Sequence, residues 1–78
     1  MYDTSNNKVS ELRKKHGMTQ PELAKVLNVN PVTVARIETG MRSLTLEKAW
    51  ILADYFNVTL DYIVGRVDYN LIMDKDNG

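Results

Sequence analysis

Val32, Ala35, Arg36 and Thr39 fall on one strip of a short segment that opens at Asn30-Pro31 and closes at Gly40. If that segment is helical, a step of 100° per residue turns Val34, Ile37 and Glu38 to the opposite, inner side. A branched aliphatic beside an alanine and a guanidinium makes a poor solvent face. It makes a good reader of base edges, because apolar groups contact thymine methyls and arginine bonds guanine through two N–H donors. A merely solvated surface is the blander alternative.

The rest of the inventory holds little reactive chemistry. The chain has no cysteine and one histidine, no Gly-rich phosphate loop, and carboxylates scattered at helix caps rather than paired. An enzyme is therefore not expected, no cofactor box is visible, and no metal site is anticipated. His16 reads as a last-turn residue interacting with helix carbonyls. Trp50, Tyr55, Phe56 and Tyr62 have the helical spacing of core and interface packing rather than of a ligand pocket.

The elements that must position the strip can be traced from their stop and start signals. A first helix is expected over 7–16, with Val9, Leu12 and His16 on one face and Gly17 as its left-handed stop. Thr19-Gln20-Pro21-Glu22 reads as a capping box that starts a second helix running to about Leu27. Asn30 is the expected N-cap of a third, Pro31 its first residue, and Thr39 its end. After a loop from Met41 to Leu44, Thr45 caps the longest helix, whose expected apolar face is Leu46, Ala49, Leu52, Ala53 and Phe56. Thr59 caps a short fifth helix in which Leu60, Ile63 and Val64 close the core and Gly65 ends the run. The fold class is all-α, five helices in one domain over residues 7–65. Residues 1–6 are expected to form a flexible arm. The tail 66–78 is open between strand, extra helical turn and disorder.

Between Gln20 and Thr39, the residues Leu23, Ala24, Leu27, Val29, Val34 and Ile37 outline two helices crossing around a tight turn. Where helices cross steeply a facing side chain must be small, and Ala24 sits one turn into the second helix. Leu12-Arg13, Gly17-Met18-Thr19-Gln20, Glu22-Leu23-Ala24, Val34, Ile37-Glu38, Gly40 and the run Ala53 to Tyr62 together resemble the XRE-type family of phage repressors and Cro proteins. The resemblance covers roughly Val9 to Gly65. It implies a lambda-repressor-like domain in which helices 2 and 3 form the helix-turn-helix. Asn28 stands where the family usually has glycine at the turn; asparagine is the next most tolerant of positive φ.

The resemblance also implies roles. Base reading maps onto Pro31, Val32 and Arg36, with Thr33 beside them; Pro31 offers no donor, so specificity should lean on Val32 and Arg36. Gln20 is implied as a phosphate contact, and Asn30, Thr39 and Arg42 are candidates for flanking ones. Lys14 and Lys15 are open between contact and bland solvated charge. Arg13 and Glu38 resemble the family's internal ion pair, and the inner-face position of Glu38 supports that role.

Ten basic and ten acidic residues cancel, which taken alone argues against a phosphate-rich partner. Their distribution is polarised: up to Lys48 eight basic residues face five acidic ones, and beyond it two face five. The polar start and the lack of a long apolar run argue against secretion and membrane spanning, which leaves the cytoplasm as the default. The expected function is a sequence-specific transcriptional regulator, a repressor binding double-stranded DNA at a palindromic operator as a homodimer. Tyr62, Val67, Tyr69, Leu71 and Ile72 are the expected dimer surface. The rival reading is an antitoxin or adaptor that uses the same fold to hold a protein such as a toxin.

Overall fold

The computed structural model describes residues 4–65. Five helices follow one another: α1 (Val9–Lys15), α2 (Gln20–Leu27), α3 (Pro31–Glu38), α4 (Leu46–Phe56) and α5 (Leu60–Ile63), with no strand among the described residues. The all-α, five-helix reading therefore holds. The principal packings are α2 on α3 and α4 on α5, joined by α1 against α3 and α2 against α4.

Local chemistry sets most of the boundaries. The Thr19 hydroxyl accepts from the Glu22 amide at 3.2 Å while the Glu22 carboxylate accepts from the Thr19 amide at 2.7 Å, a complete capping box. Thr45 and Thr59 cap α4 and α5 in the simpler one-way form. At the far end of α2, Asn28 adopts φ 58° and ψ 48°; its amide donates to the Lys25 carbonyl and the Val29 amide to that of Ala24. That is a Schellman closure, built with asparagine in the left-handed position glycine usually fills.

The core gathers the largest buried side chains, Leu23, Ile37, Leu52, Ile63, Val9 and Val34, from all five helices. Each fully buried aliphatic of this size contributes roughly 1.5–3 kcal/mol. Ala24, 2% exposed, sits at the α2–α3 approach.

Four expectations are corrected. The first helix starts at Val9 rather than residue 7, because the Asn7 side chain accepts from the Val9 amide at 3.0 Å and lies outside the helix. His16 is exposed, its ring lying 4.8 Å from that of Phe56, so it stacks on α4 rather than serving helix carbonyls. Leu46 is 67% exposed, whereas Leu44, expected in the loop, is 4% exposed. As the first residue of α4, Leu46 points back beyond the edge of the core, and the residue before the cap fills that place instead. Finally, the flexible arm expected over residues 1–6 is docked from Thr4 onward: Thr4 is 8% exposed and its hydroxyl accepts from the Leu44 amide at 2.9 Å. The tail 66–78 lies outside the described residues.

Candidate nucleic-acid interface

Pro31 opens α3 behind Asn30, which has the extended backbone of an N-cap but makes no side-chain capping bond. Its carbonyl accepts the amides of Thr33 and Val34, and its exposed side-chain amide is left for another partner. From this start Val34 and Ile37 turn inward, 0% and 1% exposed. The strip turned outward carries Pro31, Val32 and Arg36, all exposed, with Thr33 and Ala35 half-buried beside them. Val32 is 56% exposed. Among the described residues the Arg36 guanidinium has no hydrogen bond or ion pair, and neither has that of Arg42. A free guanidinium beside an exposed branched aliphatic is a pair of side chains that can meet a base edge and a methyl group.

Behind the strip, α3 is held to α1 by charge. Arg13 donates from Nε to Glu38 Oε2 at 2.6 Å and from Nη2 to Glu38 Oε1 at 3.2 Å, while its Nη1 donates to the Met18 carbonyl at 2.8 Å. Both side chains are largely buried, 11% and 6% exposed. The two-pronged geometry fixes orientation as well as distance.

Gln20, implied as a phosphate contact, donates from Nε2 to Glu38 Oε1 at 3.0 Å. Its amide therefore sits at the entrance of α2, pinned across to α3, with one N–H and the carbonyl oxygen still open. The Thr39 hydroxyl folds back on the Ala35 and Arg36 carbonyls at 3.1 and 3.2 Å, leaving only its acceptor side for an incoming group. Lys14 and Lys15 are exposed on α1. Tyr62 is half-buried and packs against the core; Val67, Tyr69, Leu71 and Ile72 lie outside the described residues. No group of His, Asp or Glu among the described residues is placed to hold a metal ion.

Sequence reasoning did not single out the Gln20–Glu38 bond or the contacts of Thr4 and Asn7. The partners lie 18 to 40 residues apart, so periodicity and capping rules give no signal for them. The one available hint is Asn7 itself, a residue type that often bonds the backbone two positions on.

Residues 9–63 match the family model described as Helix-turn-helix. Over 60 residues, 77% of the chain and 52% of the relative, the sequence is 37% identical to the HTH-type transcriptional regulator AnsR of Bacillus subtilis. It is 35% identical over 58 residues to the antitoxin PezA of Streptococcus pneumoniae, covering 74% of the chain and 37% of that protein. An uncharacterized HTH-type transcriptional regulator of Archaeoglobus fulgidus is 37% identical over 54 residues, 69% of the chain and 77% of the relative. The chain thus spans about half or less of AnsR and PezA but most of the archaeal protein. No solved structure matches. Five helices in this order, the capped α2–α3 turn and a family match across the whole of it make the chain a member of the XRE-type helix-turn-helix family.

Proposed function

We propose that the protein is a sequence-specific transcriptional regulator of double-stranded DNA, a non-enzymatic cytoplasmic repressor that lays α3 in the major groove. The observation that carries this reading is the outward strip of α3, where exposed Val32 and an unpaired Arg36 stand on a helix anchored from behind by Arg13 and Glu38. Val32 and Arg36 read bases, with Pro31 and Thr33 in van der Waals contact. Gln20, Asn30, Thr39 and Arg42 hold flanking phosphates, which set register rather than sequence. One such module covers little DNA, so a twofold dimer reads a palindrome of half-sites about 34 Å apart. Tyr62 and the apolar residues of the tail supply its contact.

The test is selection from random duplexes, with binding followed against salt to count the phosphates neutralised. A symmetric site is the expected product. Arg36→Ala should lower specific affinity by about 1–3 kcal/mol and relax one base preference. An unchanged selected motif for that variant would remove Arg36 from base reading.

A second reading, a protein-binding or antitoxin role, is favoured by the outward side of α4. There Leu46, Trp50 and Tyr55 are 67%, 56% and 53% exposed, large apolar groups that a protein surface covers better than water does. A relative that is an antitoxin fits it. Pull-down from the source cell separates the two: a simple repressor returns no stoichiometric protein partner.

A further inference from the structure

The segment before α1 is tied down at each step. Thr4 Oγ1 accepts from the Leu44 amide at 2.9 Å, in a buried bond spanning 40 residues. The Asn7 amide nitrogen donates both to the Thr4 carbonyl at 2.8 Å and to the Ile37 carbonyl at 2.9 Å, while its oxygen accepts from Val9. The Lys8 amide donates to the Ile63 carbonyl at 2.9 Å. Two turns seat this strap without side chains of their own: a Cβ at Gly40 would stand 2.8 Å from Ser5 Cβ, and one at Gly65 would stand 2.0 Å from the Asn6 carbonyl oxygen.

The Asn7 side chain therefore has both of its N–H donors and its oxygen engaged. Its longest reach is the consequential one. Ile37 lies in the last turn of α3, where carbonyls lack the amide four residues on that a continuing helix would supply. The side chain of Glu38 restrains α3 sideways, against α1 and α2. A single restraint leaves a rod free to pivot; the bond from Asn7 to the Ile37 carbonyl adds an end-on restraint.

We propose that Asn7 is a positioning residue for base reading: it fixes the axial placement and roll of α3 and with them the reach of Val32 and Arg36. The proposal rests on α3 being the reading helix. It requires that loss of the two Asn7 donors degrade discrimination between duplexes, over and above any loss of stability.

Asn7→Asp isolates those donors, because the carboxylate still accepts from Val9 but has nothing to give the Thr4 and Ile37 carbonyls. Asn7→Ala removes all three bonds. Thr59→Ala, which uncaps α5 at a distance from α3, supplies a variant of lowered Tm with the strap intact. Each is assayed well below its Tm for the ratio of affinities on the selected site and on a random duplex. Asn7→Asp should lower that ratio roughly tenfold, the scale of a hydrogen bond to a positioning group, and Thr59→Ala should leave it unchanged. Equal ratios for the two variants would overturn the proposal. Amide exchange gives a readout independent of DNA: in Asn7→Asp the amides of Gly40 and Met41, bonded to the Ile37 and Arg36 carbonyls, should exchange faster, and unchanged protection there would also overturn it. If the wild-type chain selects no duplex but exchange does quicken, the restraint stands and the assignment of α3 as reader falls.

Discussion

The chain makes the same turn twice and uses it differently. In the first, Ala24, Leu27, Asn28 and Val29 lead to the N-cap Asn30; in the second, Ala53, Phe56, Asn57 and Val58 lead to the N-cap Thr59. Both asparagines adopt φ 58°, and in both turns the next valine amide closes on the alanine carbonyl, at 3.0 and 2.9 Å. Both alanines are buried, 2% and 6% exposed. The helices that the two turns lead into are unlike. Beyond the first turn run eight residues of α3 with an exposed strip and an ion pair behind it; beyond the second run four residues of α5, whose Ile63 is wholly buried. The turn alone therefore does not make a reading head. An anchored helix long enough to present an outward face does.

The largest effect should come from the anchor that only the first turn has. Glu38→Ala strands the Arg13 guanidinium in a largely buried position, and removing one partner of such a pair costs about 3–5 kcal/mol. Thermal or urea unfolding measures it. A loss below about 1 kcal/mol, the scale of an exposed pair, would mean that the anchor contributes little and that the two units are held alike.

Next in size are the two crossing alanines. Ala24→Leu and Ala53→Leu each overfill a packed approach and should each cost about 1–3 kcal/mol of stability. They should part company on DNA: at a temperature where both are folded, Ala24→Leu should lose site preference, because it tilts α3, while Ala53→Leu keeps it. Equal loss of preference would show that α5 and its surroundings set the reading geometry as much as the first turn does.

The smallest effect should be the most alike. Asn28→Gly and Asn57→Gly each relieve a non-glycine residue at positive φ and each add freedom to the unfolded chain, so the net change should stay within about 1 kcal/mol. The same sign and size at both positions is the expected result of paired unfolding curves. A clear divergence would mean that the two turns, alike in backbone, carry different strain.

The legible part of the molecule was its local part. The Thr19 box, the Thr45 and Thr59 caps and the left-handed Asn28 each depend on residues within a few positions, and a sequence displays those directly. The inward side of α3 was legible for the same reason, since periodicity put Val34 and Ile37 together. The exchange of Leu46 for Leu44 was not, because a repeat of apolar residues states the phase of a helix but not where the core stops. Nor was the docking of Thr4 and Asn7, whose partners Leu44 and Ile37 are brought near only by the finished fold. Gln20 shows both sides: its place at the start of α2 was expected, and its bond to Glu38 depends on the angle at which two helices cross.

Glu38 is the one carboxylate on α3, and its two oxygens receive three donors from Arg13 and Gln20. An acidic group so enclosed presents almost no field to a polyanion approaching from the other side. The potential ahead of α3 is then set by Arg36 and Arg42, cations unpaired among the described residues, so a molecule of zero net charge can still present an attractive surface where a phosphate chain would arrive.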